Sequence, residues 1–252
     1  MAVSIKSAKE IELMKEAGRI LSEVLNRLEE IIEPGISTLD IDREGEKLIR
    51  SYNTIPSFLN YNGYPASICV SVNDEVVHGI PNKKHILREG DIVSLDAGCI
   101  YKGFHSDAAR TFAVGKISDE AQQLIDVTKQ SFFEGIKYAK AGNHLYDISA
   151  AIDDYVSQFG YGIVRDLVGH GIGRELHESP QIPNFKQNRR GIKLQAGMTL
   201  AIEPMINIGR PEVDWLDDDW TVVTEDGSLS AHYENTVLIT DSEPVILTLP
   251  EM

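Results

Sequence analysis

The sequence contains only two cysteines, Cys69 and Cys99, among 252 residues. Small secreted domains that depend on disulfides carry larger frameworks, so this pair predicts two reduced thiols in a cytoplasmic protein. A long apolar run is also missing. The longest stretch without charge, residues 51–73, is interrupted by Asn, Pro, Gly and Ser and cannot span a bilayer. The first ten residues have no apolar core like that of a signal peptide.

Positive charge is scarce, because 24 lysines and arginines face 39 aspartates and glutamates, which gives a net charge of −15. Most of such a surface repels nucleic-acid phosphates, so we expect no direct recognition of DNA or RNA. The acidic excess has two interpretations. It serves solubility alone, or some of the carboxylates hold cations, and the positions of the carboxylates decide between the two.

Two helices followed by a strand occur twice in the predicted secondary structure. The predicted helices cover residues 7–33, 38–50, 118–139 and 146–159. Sequence matches between the two halves share one offset of 107 residues, and they include the segments 88–96 and 195–203. We therefore predict an internal duplication within a single α+β domain, residues 1–252, with halves at roughly 1–114 and 115–252.

Two aspartates in a predicted hairpin, residues 91–112, form a first pair of carboxylates. Asp96 and Asp107 are equally far from the middle of the hairpin, just after Tyr101, which predicts that they face each other. Like charges directly opposite each other are destabilising unless they share a proton or bind a cation. The alternative is that the strands are bulged or exposed and that the aspartates cap turns.

The second half contains a matching pair of carboxylates. Glu203 and Glu234 lie in strand-like sequence 31 residues apart, and their midpoint falls in the acidic loop 217–219. Glu203 also stands at the offset of 107 from Asp96. A longer hairpin is thus predicted to bring the two glutamates together. Four carboxylates around one site suit hard divalent cations such as Mn²⁺ or Mg²⁺.

A histidine in a glycine-rich segment extends this set of candidate ligands. His170 lies among glycines at positions 169, 171 and 173, which would let the backbone approach a ligand closely. One imidazole and four carboxylates suit two transition-metal ions that share carboxylates, a centre typical of hydrolases. His78 and His177 are further candidates, because either could donate to a substrate carbonyl or an oxyanion. For both, an ordinary surface histidine is the alternative.

These motifs closely resemble those of the type I methionine aminopeptidases, in the short form found in bacteria. The segments that carry the resemblance are SVNDEVVHGIP at 71–81, DAG through HSD at 96–107, GHGIGR through HE at 169–178, EP at 203–204, and WTVV through ENT at 220–236. Together they extend over nearly the whole chain. The resemblance implies a pita-bread fold, with two pseudo-symmetric halves, a curved antiparallel sheet and flanking helices.

The resemblance also implies roles for the candidate ligands. Asp96 would chelate one metal ion, Asp107 and Glu234 would bridge two ions, and His170 and Glu203 would bind the second. Glu203 would also act as general base, His177 would stabilise the carbonyl oxygen in the transition state, and His78 would contact the scissile amide. Mn²⁺, Fe²⁺, Co²⁺ and Zn²⁺ all suit these ligands, and their identity stays open.

A substrate pocket follows from the same resemblance. Its walls would be Tyr61, Tyr64, Cys69, Leu176 and Trp220. Leu176 stands where many relatives have an aromatic residue, which would loosen the pocket, and segment 184–186 departs from the usual sequence at the entrance.

The expected reaction is removal of the initiator methionine from nascent proteins and peptides, with a preference for a small second residue. A basic loop, Lys186, Arg189, Arg190 and Lys193, is the candidate for a transient ribosome contact, although a solvated loop is the simpler interpretation. We expect a cytoplasmic monomer. The alternatives are an X-prolyl aminopeptidase or prolidase, which usually carries a large N-terminal domain, and an inactive binding protein of the same fold, which usually lacks a ligand.

Overall fold

Four helices pack as two pairs against antiparallel strands in a computed structural model that describes residues 3–249. Residues 1–2 and 250–252 of the predicted domain therefore lie outside the described residues. The helices are α1 (Ala8–Glu29), α2 (Thr38–Ser51), α3 (Asp119–Ile136) and α4 (Leu145–Val156). All four predicted helices are confirmed, with ends shifted by a few residues.

The helix ends follow local capping chemistry. α1 begins with a capping box, in which Glu10 Oε2 accepts from the Ser7 N–H at 2.9 Å. α1 ends at Glu29, four residues before the predicted end at 33, and turns lead from there to the Pro34–Gly35 pair. Gly35 has φ of 104°, a conformation that glycine adopts without strain.

The described residues also form fifteen strands, most of them short. They are β1 (Ile55–Pro56), β2 (Ile68–Val72), β3 (Glu75–Val77), β4 (Ile92–Tyr101), β5 (Phe104–Ala113), β6 (Gly162–Ile163), β7 (Gly169–Gly171), β8 (Glu178–Ile182), β9 (Thr199–Ile202), β10 (Met205–Asn207), β11 (Val213–Trp215), β12 (Val222–Thr224), β13 (Ser230–His232), β14 (Asn235–Leu238) and β15 (Val245–Ile246). Within residues 3–249 every strand pair is antiparallel. The sheets have the orders β1-β4-β2 with β5 beside β4, β13-β10-β6, β11-β12-β3, and β15-β14-β9-β7-β8.

The β4–β5 hairpin corrects one prediction. Asp96 pairs with Ala109 and Asp107 pairs with Gly98, so the two aspartates are diagonal neighbours on one face and do not stand directly opposite. The cause is the turn. Lys102 and Gly103 both have positive φ, 49° and 84°, which makes a two-residue turn centred one residue later than expected. The predicted proximity of the carboxylates survives, because diagonal neighbours on one face still approach each other.

The second pair of carboxylates follows its predicted register. Ile202 pairs with Asn235 in the β9–β14 ladder, and Met205 pairs with His232 in the β10–β13 ladder. Glu203 and Glu234 lie between these two ladders. If either register is continued, it places the two glutamates opposite each other. The chain between them forms the β11–β12 hairpin, whose turn contains the predicted acidic loop 217–219.

Several backbone contacts recur at the offset of 107 residues. The Gly35 N–H donates to Leu87 O at 2.8 Å, and the Gly142 N–H donates to Leu194 O at 3.0 Å. Two isolated bridges follow the same rule, Ser37–Ile86 and His144–Lys193. Repeated contacts of this kind are what a duplication predicts, and the boundary between residues 114 and 115 stays a prediction.

The core consists of separate apolar clusters. One packs α1 and α2 against β2, β4 and β5, and another packs α3 and α4 against strands of the second half. A third cluster combines residues from both halves, among them Met14, Tyr64, Cys69 and Leu176. This third cluster supports the wall of the candidate site. Among the described helices, none has the length and apolar character needed to cross a membrane.

Candidate active site

One cavity of about 180 Å³ contains every site residue that the sequence predicted. Its lining includes Asp96, Asp107, His170, Glu203 and Glu234, the two histidines His78 and His177, and the pocket residues Tyr61, Tyr64, Cys69, Leu176 and Trp220. The aspartates come from the first half of the chain, and His170 and the glutamates come from the second. The cavity therefore combines side chains from both halves.

Three candidate ligands already have the spacing of a metal site. Ligand atoms of Asp107, His170 and Glu234 all lie within 4.8 Å of one another, and all three residues are buried. Glu203 extends the group, because its Oε1 lies 3.6 Å from His170 Nε2. Asp96 joins the group through Asp107, with which its carboxyl shares a hydrogen bond.

Several oxygen atoms of the site carboxylates are buried and lack hydrogen bonds, as expected of atoms that bind a metal ion. Asp96 Oδ1, Asp107 Oδ1 and Glu234 Oε1 are buried and have no hydrogen-bond partner within residues 3–249. In the same range, histidines are the only basic side chains that lie within ion-pair distance of the site carboxylates. Buried charges without partners are costly, so the group fits a divalent metal centre.

Burial raises the pKa of every site carboxyl, and repulsion from other carboxylates adds to the rise at Asp107, Glu203 and Glu234. Burial raises the pKa of Asp96 to about 7. Burial, with repulsion from Glu234 and Asp96, raises the pKa of Asp107 well above its usual value. The pKa values of Glu203 and Glu234 are raised in the same way, with burial as the largest cause. Without a cation these groups therefore hold protons, which a divalent ion would displace.

The tautomer of His170 suits metal binding. Its Nδ1 donates to the Gly171 carbonyl oxygen at 2.8 Å, so Nε2 carries the lone pair. Nε2 faces Asp107 Oδ2 at 3.7 Å and Glu203 Oε1 at 3.6 Å. Burial lowers the pKa of His170 to about 3, which keeps the ring neutral.

The glycines on either side of His170 allow close packing of strand β7 against its neighbours. A Cβ on Gly169 would lie 2.4 Å from Ala201 O, and a Cβ on Gly171 would lie 2.2 Å from Ser179 O. Both glycines therefore allow β7 to pack tightly between β8 and β9, and the close approach is to protein backbone. The predicted close approach of the backbone to a ligand stays a prediction.

His177 lies at the edge of the cavity beside His170. Their ring centroids are 4.3 Å apart, and His177 Nδ1 is 2.8 Å from the Tyr61 hydroxyl. The side chain is exposed to solvent, yet loss of water around part of the ring lowers its pKa. A neutral His177 with Nδ1 bonded to Tyr61 leaves Nε2 available for a substrate.

His78 stands at a strained position on the opposite wall. Its φ of 59° is unusual for a residue with a side chain, and it follows directly after β3. Burial lowers the pKa of His78 to about 4, and its ring lies 6.2 Å from that of Trp220. A neutral imidazole held in this way can donate or accept one hydrogen bond.

The pocket walls are apolar and aromatic. The Tyr64 hydroxyl donates to Gly79 O at 2.9 Å, and its ring meets Trp220 edge-on at 5.1 Å. Cys69 and Leu176 are buried beside them. Cys99, by contrast, lies against α1, where its thiol is 3.4 Å from Ala17 O.

Sequence reasoning missed several residues around the site. Asn184 donates to the Glu203 backbone carbonyl at 3.0 Å, and Thr236 Oγ1 bonds both backbone groups of Asp107. The Arg110 guanidinium donates to the Glu234 carbonyl oxygen. His232 lies two residues before Glu234 on the same face of the sheet, and this spacing was the one sequence signal available. Phe58, Asn62, Val77, Leu167, Val168 and Met205 complete the lining.

A family comparison decides what this combination of ligands and fold represents. The model of metallopeptidase family M24 matches residues 12–241. The chain belongs to metallopeptidase family M24. Family M24 enzymes are metallopeptidases, so the protein is a metal-dependent hydrolase, and its ligand cluster agrees with that membership.

Individual relatives narrow the position within family M24. The chain is 57% identical to a methionine aminopeptidase from Clostridium acetobutylicum, over 99% of this chain and 100% of the relative. It is 42% identical to a methionine aminopeptidase from Escherichia coli, over 99% and 95%. The solved methionine aminopeptidase of Thermotoga maritima has a TM-score of 0.96 at 44% identity, over 98% and 100%.

A solved structure of lower sequence identity is also similar to this chain. The Xaa-Pro dipeptidase from Bacillus anthracis has a TM-score of 0.79 at 27% identity, and the chain covers 63% of its length. The protein is therefore an aminopeptidase grouped with the methionine aminopeptidases of family M24. The predicted α+β class and pita-bread fold are confirmed.

Proposed function

We propose that the protein removes the N-terminal methionine from nascent proteins and peptides, with a small second residue preferred. One observation carries the proposal. The carboxylate and histidine cluster and an apolar pocket share one cavity, so the first residue of a peptide can fill the pocket while its amide faces the cluster. The relatives of 42–57% identity are named for this activity.

Two divalent ions would be held by the five predicted ligands. Asp96 would bind one ion, His170 and Glu203 the other, and Asp107 and Glu234 both. When bound, such ions activate a water molecule and polarise the scissile carbonyl. Mn²⁺, Fe²⁺, Co²⁺ and Zn²⁺ are the candidates, since the ligand types do not select among them.

The remaining steps belong to side chains of this protein. The Glu203 carboxylate accepts a proton from the attacking water and returns it to the departing amine. His177 Nε2 donates to the carbonyl oxygen as negative charge develops there. His78 contacts the scissile amide from the opposite wall. Tyr64, Cys69, Leu176 and Trp220 surround the methionine side chain and exclude water from it.

The cellular setting is a further part of the proposal. We infer a cytoplasmic monomer that meets nascent chains at the ribosome. Two members of the basic loop already have acidic neighbours, because Lys186 pairs with Asp154 at 2.9 Å and Arg190 with Asp147 at 3.1 Å. Both pairs are exposed and hence weak, so the loop keeps part of its positive charge. Charge reversal at Arg189 and Lys193 should weaken ribosome binding at low salt, and unchanged binding would remove this contact.

The test begins with protein from which the metal has been stripped. Mn²⁺, Fe²⁺, Co²⁺ or Zn²⁺ is added singly, and release of the first residue is timed for Met-Ala-Ser and for an X-Pro peptide. Methionine release that requires metal supports the proposal and ranks the ions. Cleavage only before proline would assign a prolidase activity, and metal binding without any cleavage would favour a binding protein.

Matched variants link the activity to the site. Glu203→Gln should abolish turnover, because the amide accepts no proton and is a poor metal ligand. Glu212→Gln is the control, since the Glu212 side chain is exposed on the surface. Normal turnover by Glu203→Gln would contradict the assigned role of Glu203.

A further inference from the structure

His232 is a buried histidine in the site region that the roles above leave unused. It is 1% exposed and ends strand β13, opposite Met205 of β10. Its backbone is fixed on both sides by Thr111, whose Oγ1 accepts from the His232 N–H at 2.9 Å and donates to its carbonyl at 2.9 Å. The backbone that carries the ring is therefore fixed by two contacts within the protein.

The ring of His232 has no hydrogen bond of its own. Neither Nδ1 nor Nε2 has a partner within residues 3–249. A buried polar group without a partner costs free energy, and such groups in native proteins usually have a function. The polar atom that Nε2 faces is Glu203 Oε2, at 3.9 Å.

Glu203 is thus held between two imidazoles through different oxygens. Oε1 faces His170 Nε2 at 3.6 Å, and Oε2 faces His232 Nε2 at 3.9 Å. His170 Nε2 carries a lone pair, so it cannot donate to Glu203. His232 has no partner that fixes its tautomer, and the acceptor before its Nε2 favours the form with the proton there.

We propose that His232 is a positioning residue for Glu203: its Nε2–H donates to Oε2 and thereby turns Oε1 toward the metal position shared with His170. The separation of 3.9 Å closes by a small rotation of the carboxylate or by one bridging water. Ligating carboxylates generally depend on such outer hydrogen bonds for their orientation.

The first test measures metal binding and needs no turnover. Mn²⁺ is titrated into the stripped protein by calorimetry for the wild type, His232→Leu and His232→Gln. Leucine has no donor, so we expect Mn²⁺ affinity to fall by about 10- to 100-fold. Glutamine keeps an N–H donor of similar reach, so His232→Gln should recover most of the affinity. Equal affinity of His232→Leu and the wild type would overturn the proposal.

Two controls separate positioning from packing and from direct ligation. His105→Leu removes another buried histidine two residues before a site carboxylate, but that ring bonds Ser57 at 3.0 Å, so Mn²⁺ affinity should be unchanged. In a Glu203→Gln background, His232→Leu should cause no further loss beyond about twofold, because the residue acts through Glu203. A further large loss there would overturn the proposal.

Cobalt spectroscopy tests the competing role. If His232 were itself a ligand, the visible absorption of the Co²⁺ protein would change in His232→Gln, and glutamine would not restore metal binding. Either result would contradict a positioning role for His232. His232→Met is the second variant without a donor if His232→Leu does not fold. The inference rests on the proposed metal site, and the wild type separates failure of the site from failure of the role of His232. If the wild type bound no Mn²⁺, the proposed metal site itself would be wrong.

Discussion

Single side chains in this protein act through the tautomer that their partners impose. The His170 Nδ1–H donates a hydrogen bond to Gly171 O, so the lone pair of the ring lies on Nε2 and faces the carboxylates. His177 has its Nδ1 beside the Tyr61 hydroxyl, which directs Nε2 to the cavity. In the proposed function, two histidines of the same sequence segment have opposite duties, one as acceptor toward metal and one as donor toward substrate.

This division predicts graded effects at His177 and Tyr61. His177→Ala should lower kcat by about 100-fold or more, the cost of one lost oxyanion donor, with a small change in KM. Tyr61→Phe should lower kcat less, because the imidazole remains but its tautomer is no longer fixed. Steady-state kinetics on Met-Ala-Ser measures both. An effect of His177→Ala confined to KM would mean that the ring only binds substrate.

A buried carboxyl outside the metal cluster predicts a pH effect on stability. Burial raises the pKa of Glu75 to about 7, although its Oε2 accepts from the Val72 N–H at 2.7 Å. The folded-state pKa exceeds the ordinary value of 4.5, so between these values the folded protein binds more protons than the unfolded chain. The free energy of unfolding should therefore fall as pH rises from about 4.5 through 7.

Glu75→Gln isolates this contribution, because all other titrations are common to both proteins. Relative to the wild type, the variant should gain on the order of 2 kcal/mol between pH 5 and pH 8. Urea unfolding at the two pH values measures the difference. Parallel pH profiles for the two proteins would mean that Glu75 is ionised in the folded state across this range.

At the scale of elements, the N-terminal segment anchors the loop that carries His177. Lys6 Nζ pairs with Glu178 Oε2 at 2.7 Å, and the two side chains are 5% and 15% exposed. Glu178 Oε1 accepts from the Arg174 N–H at 2.8 Å. A buried ion pair from outside the loop thus fixes the carboxylate around which the loop turns.

Lys6→Met should therefore affect both stability and catalysis. Loss of the cation leaves Glu178 without its partner, which should cost about 3 kcal/mol of unfolding free energy. The kcat should fall because His177 loses its fixed position, while KM changes little. Lys15→Met is the control, because Lys15 pairs with Glu12 on the exposed face of α1. A normal kcat in Lys6→Met would show that the pair matters to folding alone.

Elements also explain which parts of the site were predictable. Asp96 and Glu203 were predicted as ligands because both lie in strand-like sequence at equivalent positions of a repeat, a pattern visible in the sequence. The opposition of Asp96 and Asp107 was wrong, because two residues of positive φ in a surface turn set the register and such backbone angles are weakly encoded. Asn184 and His232 were missed because they act through Glu203 across the fold, and sequence spacing carries little of such contacts.

At the scale of the whole molecule, metal binding should join the two halves. Asp96 and Asp107 come from one half, and His170, Glu203 and Glu234 from the other, so a bound ion links distant parts of the chain. Mn²⁺ at 100 times its dissociation constant should add about 2.7 kcal/mol to the free energy of unfolding. Thermal unfolding of stripped and reloaded protein measures this gain.

Metal binding should reverse which of the two proteins, Asp96→Asn or the wild type, is the more stable. Without metal, the substitution removes one buried group whose charged form is disfavoured by burial, so the stripped variant should be at least as stable as the stripped wild type. With Mn²⁺ present, the wild type should be the more stable of the two. A variant that is less stable in both states would indicate that Asp96 has a structural function independent of metal.

The order of the ligands along the chain has a consequence for biosynthesis. Asp96 and Asp107 are made first, and Glu234, directly before strand β14, is made only when most of the polypeptide has been translated. A partial chain therefore contains clustered acidic groups without the residues that complete the ion site. We therefore expect a growing copy of this protein to be unable to process other chains until its last strands have joined the fold.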